Sequence, residues 1–341
     1  MTRALLCLLV VAGCPKKASD KPVEPAPAEA GRLLPMSDAP ASIVLAPPPP
    51  LPPVPRGLPT PPGEEDPELV RLGELVFWDP RLSQTGKLAC ASCHDPERGF
   101  AGGRSETAAG KPNLRAAPAL VNLAWKTRFG WDGRFDRLDE LLRTHALGQL
   151  GNELGDAKVR LDALPIYHAY FARAPQGLDS SLFAYVVTRY AGDSPWDRVE
   201  RSRDVPVELK AGYQLFGGKA QCSVCHPPPL YSDLAYHRLG LIATPDEGRG
   251  KVDPAQKGAF ATPTLRGAAL RTSFFHDAST HTLEDAIDWH LAGGTGQGAD
   301  RSIIDPALKK VTLTPTERAQ LIAFVRALTA PDAVPAKPVL P

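Results

Sequence analysis

The chain has 341 residues, 39 lysines and arginines against 38 aspartates and glutamates, and a hydrophobic fraction of 43%. Charge balanced this closely, with no long basic run, argues against a nucleic-acid partner, and no apolar run reaches the roughly 20 residues of a membrane-spanning helix. The length suits about two domains of roughly 100–200 residues each, while 37 prolines, many of them early in the chain, mark one stretch as spacer.

Residues 1–14, MTRALLCLLVVAGC, read as an export signal: Arg3 supplies the positive start and Ala4–Ala12 the apolar segment. The ending VAGC resembles a bacterial lipobox, which implies cleavage before Cys14, lipidation of its thiol, and a periplasmic lipoprotein anchored to the membrane. Two or more acyl chains would hold it stably where one is marginal. Residues 15–62 form a Pro/Ala-rich linker, with EPAPAEAG followed by PPPPLPPVPRGLPTPPG. Proline fixes φ and removes a donor, so this stretch predicts a disordered or polyproline II spacer without helix or sheet.

From residue 63 a theme appears twice. DPELVRLGELVFWDPRLSQTGKLACASCH and PVELKAGYQLFGGKAQCSVCH each open with a helical pattern containing a glycine (Gly73, Gly212) and a phenylalanine four residues on (Phe77, Phe216). Residues i and i+4 share a helix face, and the glycine lets another helix approach closely. Each unit closes with a helix, the first over 180–193. The second is TPTERAQLIAFVRALT, where Thr314 is the N-cap, Pro315 the first helical residue and Glu317 the partner in a capping box. Leu321, Phe324, Val325 and Leu328 form its apolar stripe. Strand alternation is scarce. The expected fold is mostly α: two cytochrome c-like helical domains at 63–205 and 206–333, with a tail at 334–341.

The six cysteines sort by place. Cys7 falls in the signal, Cys14 takes the lipid, and Cys90, Cys93, Cys222 and Cys225 make two CxxC pairs, each followed by histidine. None remains for a structural disulfide. Zinc could use four cysteines but would leave His94 and His226 without a purpose. A thiol-redox CxxC follows a strand, and neither pair does. Covalent haem c accounts for all three residue types: two thiols add to the porphyrin, and the histidine ligates iron. Two covalent haems are therefore expected, with His94 and His226 as proximal ligands. Met occurs only at Met1 and Met36, in the signal and the linker, so neither haem has the His/Met ligation of electron carriers. Six histidines remain: His145, His168, His237, His276, His281 and His290. His290 has the best position. It ends TLEDAIDWH, a segment with Thr282 as N-cap and Asp285 at N3, and Gly293 and Gly294 follow closely, so the segment can deliver its imidazole across a haem face.

Beyond the two CxxCH motifs, LSQTGKLACASCHDPERGF, WDGR at 131–134, ALG at 146–148, GDSPWDR at 192–198, ATPTLRGAALRTSFFHDAST and TLEDAIDWHLAGG occur in this order. Together they resemble the bacterial di-haem cytochrome c peroxidase / MauG family over roughly residues 64–330. The resemblance implies a peroxidatic N-terminal haem with an open distal face and a six-coordinate C-terminal haem that passes electrons. It implies that Trp131 relays electrons between them and that His290 ligates the C-terminal iron opposite His226. Departures are informative. Residues 95–125 hold no histidine to plug the first haem. The family's distal glutamate position falls on Gly155, with Glu153 two residues early and about one helical turn of extra sequence before it; Glu153 is the candidate acid/base. The family's inter-haem calcium uses an asparagine just before a proline, where this chain has Ala116, with Asn113 as substitute, so calcium stays open. His276 and Asp277 fit a motif near the haems and are expected to be structural hydrogen-bonders.

The leading expectation is a peroxidase reducing hydrogen peroxide with electrons from a small c-type cytochrome or copper protein. The alternative is a MauG-like enzyme that oxidises Trp or Tyr side chains of a partner protein. A third is a non-enzymatic electron carrier. Whether the chain forms a homodimer is left open.

Overall fold

Helices dominate the computed structural model, which describes residues 43–241, 246–294, 304–330 and 334–341. The export signal and the first part of the linker lie outside the described residues. In chain order the helices are α1 (Pro67–Trp78), α2 (Leu138–Leu150), α3 (Leu154–Asp162), α4 (Pro165–Arg173), α5 (Leu178–Val187), α6 (Pro195–Val199), α7 (Val207–Gly217), α8 (Leu283–Leu291) and α9 (Pro315–Arg326). Two short strands, β1 (Tyr236–His237) and β2 (Phe260–Ala261), pair antiparallel.

The repeat is a pair of helix crossings. α1 starts where Asp66 accepts from the Glu68 N–H at 2.9 Å with Pro67 in the first turn. At its middle, Gly73 lies on α5, and a Cβ there would overlap the Ser181 carbonyl and press on Tyr185. In the second half Gly212 of α7 meets α9 in the same way, against the Gln320 carbonyl and Phe324. Helices packing backbone to backbone exclude any side chain at the crossing. The phenylalanine one turn later fills the space beside it: Phe77 meets Tyr185 with ring centroids 5.1 Å apart, and Phe216 meets Phe324 at 5.1 Å.

Each crossing seeds an apolar core. Leu72, Leu75, Phe77, Leu161, Tyr167 and Leu182 centre the first; Trp196, Phe216, Tyr231, Leu321 and Phe324 centre the second. Burying one such side chain contributes roughly 1.5–3 kcal/mol. The helix expected over 180–193 begins at Leu178 and ends at Val187. There the Thr188 hydroxyl turns back to the Ala184 and Tyr185 carbonyls, both at 2.9 Å, and competes with the backbone ladder. The α9 capping box forms as read: Glu317 N–H donates to Thr314 Oγ1 at 3.2 Å, and Thr314 N–H to Glu317 Oε2 at 2.7 Å.

Ile43–Pro341 pack as one compact unit, because several bonds tie the two halves. Ala116 N–H donates to the His276 carbonyl at 2.7 Å and Ala261 N–H to the Trp131 carbonyl at 2.8 Å. Arg115 joins Asp132 (2.9 Å) to Asp246 (2.5 Å). The described part of the Pro-rich segment has no helix or sheet, but it is fastened to the body. Arg173 donates to the Ala46 carbonyl at 3.0 Å, Arg266 to that of Gly57 at 2.7 Å and Trp125 to that of Thr60 at 3.3 Å. At the other end, Leu340 packs on the first core and Arg81 donates to the Pro341 carbonyl at 2.9 Å.

Candidate functional site

The two CxxCH motifs fold alike. Each CxxC makes a single 3₁₀ turn, Cys90–Ser92 or Cys222–Val224, closed by the histidine N–H donating to the first cysteine's carbonyl at 2.9 Å in both. At the second motif Cys222, Cys225 and His226 all line one cavity. Burial pushes the Cys90 and Cys222 thiols up to about 12, unlike the low-pKa thiols that attack disulfides. Among the described residues the cysteines do not converge on one metal site. The one cluster of three potential ligands is Cys225, Asp233 and His237. There His237 bonds Asp233 at 2.8 Å and Asp305 at 2.7 Å.

His94 Nδ1 bonds the Pro118 carbonyl at 2.9 Å, and His226 Nδ1 the Tyr231 carbonyl at 3.0 Å. A carbonyl acceptor requires the proton on Nδ1 and leaves Nε2 bare for a metal. Burial pulls both imidazoles down to about 4, with His145 adding to the effect at His94 and His290 at His226. Both are therefore neutral, as ligands must be.

α8 carries His290 to the second site. Thr282 caps it, accepting from the Asp285 N–H at 3.1 Å, and Gly293 and Gly294 leave it at φ 74 and 70. His290 Nδ1 bonds the Ala286 carbonyl at 2.7 Å. The His226 and His290 rings lie 6.5 Å apart, centroid to centroid. Metal–nitrogen bonds of about 2 Å on each side, plus the ring radii, require about that separation. Around them runs an apolar cavity walled by Phe216, Leu265, Phe274 and Ile287, with Trp131 at its edge. The pair and the cavity fit a haem ligated on both faces.

The first site is built differently. The histidine that acts on His94 electrostatically is His145, a residue the sequence did not single out. It lies on α2, and both it and His94 have depressed proton affinities: burial leads at each, followed by His145 at His94 and by Arg134 at His145. Among the described residues no ring contact joins His94 to His145, and His145 has no hydrogen-bond partner. One signal was present. His145 follows Leu138, Leu141 and Leu142 at helical spacing, although its own side chain is exposed. Glu153 lies elsewhere. It is the exposed N-cap of α3, in a hollow lined by Arg143, Thr144, Leu147 and Lys158 that excludes His94.

Trp131 spans the junction: its indole N–H donates to the Ala116 carbonyl at 2.8 Å while its ring walls the second cavity. Trp289 donates to the Leu239 carbonyl at 3.2 Å and meets Phe275 at 5.9 Å, which stacks on His290 at 5.8 Å. His276 stacks on Phe260 at 3.5 Å, and Asp277 accepts from the Ser279 N–H at 3.1 Å. The candidate calcium residues have partners of their own. Asn113 bonds Ser105 within its own loop at 3.3 Å, the Ala116 carbonyl takes the Trp131 indole, and the Arg115 guanidinium already neutralises Asp132 and Asp246.

Comparison with known proteins bears on this arrangement. The family model described as di-haem cytochrome c peroxidase matches residues 67–204. The methylamine utilization protein MauG of Methylorubrum extorquens is 34% identical over 293 residues, covering 81% of this chain and 82% of that protein. Cytochrome-c peroxidase IdrP2 of Denitromonas iodatirespirans is 29% identical, covering 80% and 85%. Among solved structures, a MauG-like protein associated with microbial copper homeostasis superposes with a TM-score of 0.73 at 26% identity, covering 84% of this chain and 96% of that one. No helix among the described residues is long and apolar enough to cross a membrane.

Proposed function

The chain belongs to the di-haem cytochrome c peroxidase family that includes MauG, and from that premise we propose a haem oxidoreductase that consumes hydrogen peroxide at the site of Cys90, Cys93 and His94 and passes electrons through the site of Cys222, Cys225, His226 and His290. Bound haem supplies the redox chemistry, exchanging single electrons and meeting the oxidant wherever an iron face is open. The inequality of the two histidine pairs carries the reading. His226 and His290 stand at the spacing of two ligands on one iron and leave peroxide no face there. His145 influences His94 electrostatically, with no ring contact between them among the described residues, which supports an open distal side.

Reducing peroxide to two waters takes two electrons and two protons. One proton has to leave the inner oxygen and reach the outer one as the O–O bond breaks, a transfer that a positioned base speeds by roughly 10²–10⁴. His145 suits this step: it is neutral and has no competing hydrogen bond. Glu153 was the sequence-based candidate; it lies beside Arg143 and Lys158 in a hollow whose lining does not include His94, whereas His145 acts on His94 electrostatically, which favours His145. Pro118 holds His94 in one tautomer. Trp131, bonded to the first half and walling the second cavity, is the proposed electron relay.

Two electron sources fit. A small c-type cytochrome or copper protein would make the enzyme a peroxidase. Trp or Tyr side chains of a partner protein would make it MauG-like, and the 34% identity to MauG favours this second source. The resting ferric protein should show one high-spin and one bis-histidine low-spin haem. Two low-spin haems that ignore peroxide would overturn the proposal. Rapid steady-state turnover with reduced cytochrome c would select the first source, and its absence in a peroxide-reactive protein the second. Cys14 as a lipid anchor and a periplasmic location complete the reading, tested by metabolic labelling with a fatty acid.

A further inference from the structure

The wall of the second cavity contains a cation with no counter-charge. Arg271 follows the short turn Ala268–Leu270 and lines the cavity with His226 and His290. Its Nη2 donates to two backbone carbonyls, Thr264 at 2.8 Å and Arg266 at 3.1 Å, and neither carries charge. Its Nε is buried and has no partner. Burial alone pulls this guanidinium down to about 10. Two arginines more deeply placed are matched by carboxylates: Arg266 by Asp197 at 2.6 Å, Arg115 by Asp132 and Asp246, whereas Arg249, whose Nε is also unpartnered, lies outside this cavity and against the Tyr236 ring. Lys309 also lines the cavity, but it is exposed and water solvates it.

An unpaired buried charge is costly, and it persists where a ligand brings the opposite charge. Most of the wall is apolar, and its carboxylate, Asp305, is already bonded to His237 at 2.7 Å, so the occupant should be a large flat apolar body with an acidic edge. A haem meets both conditions, because its porphyrin is apolar and its two propionates are carboxylates. An arginine fork matches a carboxylate in shape as well as charge. We infer that Arg271 is the anchor and counter-charge for a propionate of the haem in this cavity, and so sets that haem's reduction potential. The inference rests on the assignment of a haem to His226 and His290.

A positive charge beside the propionate favours the reduced haem, so removing it lowers the midpoint. The test uses the mature holoprotein with Arg271→Leu and Arg271→Lys, haem content measured first. In a fully loaded Arg271→Leu protein the low-spin haem midpoint should fall by about 59 mV, the one-electron equivalent of a tenfold change. The high-spin haem should move less, and the propionate bending band in resonance Raman should shift. Arg271→Lys should hold the midpoint, because the charge remains, yet still move the band, because the fork is gone. An unmoved midpoint and band in Arg271→Leu would overturn the inference. Should that protein not mature, Arg271→Lys decides: a shifted band supports the anchor and an unshifted one removes it. A His290→Ala protein that keeps its low-spin signal would instead remove the haem assignment on which the inference rests.

Discussion

Deleting the His290 imidazole leaves His226 as the sole axial donor in the second cavity. His290→Ala should therefore turn the low-spin signal high-spin in the resting ferric protein, read by electron paramagnetic resonance; an unchanged spectrum would assign the sixth ligand elsewhere. At the first site the prediction separates two residues. His145→Ala should slow the reaction with peroxide by roughly 10²–10⁴ if it carries the proton, while Glu153→Gln, altered in an exposed hollow, should leave the stopped-flow rate within about twofold. The reverse result would restore Glu153 to the acid/base role. His290 was legible in the sequence because everything that positions it is local: Thr282 caps the helix and two glycines end it. His145 was not, because its significance depends on its electrostatic influence on His94, which arises only in the fold, and the ALG motif beside it drew attention downstream to Glu153.

Helix crossings carry a different kind of information. A Cβ at Gly212 has nowhere to go, because the Gln320 carbonyl and Phe324 occupy its place. Gly212→Ala should force α7 from α9 at about 1–3 kcal/mol, the usual cost of overpacking, or roughly 2–10 °C in the melting midpoint of the second half. Gly155→Ala is the control: nothing lies near its Cβ, and replacing glycine inside α3 should stabilise slightly. Calorimetry of the holoprotein checks both. The glycine–phenylalanine repeat exposed both crossings to sequence reading, since one face of one helix encodes the contact. The end of α5 was not exposed, because Thr188 closes it with a side-chain bond that propensity does not reveal. The Pro-rich segment shows the same division. Its composition excludes helix and sheet, but the anchors at Ala46 and Gly57 come from Arg173 and Arg266, 127 and 209 residues away.

What joins the two halves decides whether they act as one enzyme, because electrons must cross between them. Arg115 bridges the Asp132 and Asp246 carboxylates, 0% and 5% exposed at their side chains. At Asp246 burial would raise the pKa, but hydrogen bonds from Arg115 outweigh it and hold the carboxyl down at about 2. An aspartate lowered from about 3.9 in the unfolded chain contributes stability only while it is ionised, amounting to about 2 kcal/mol near neutral pH. That contribution is complete above the unfolded pKa and disappears as pH falls through the folded one. Asp246→Asn should therefore lower the melting midpoint fully at pH 5–7, with the deficit shrinking as pH drops below about 4. Removing one partner of a buried bridge also strands the other, although Asp132 still holds Arg115, so the loss should stay below that of Arg266→Leu, which leaves Asp197 with only the Ser194 hydrogen bonds and no cation. If the bridge aligns Trp131 between the halves, Asp246→Asn should also slow electron exchange between the haems at pH 7 while leaving both spin states unchanged. A melting deficit independent of pH would show that Asp246 is not held ionised by Arg115.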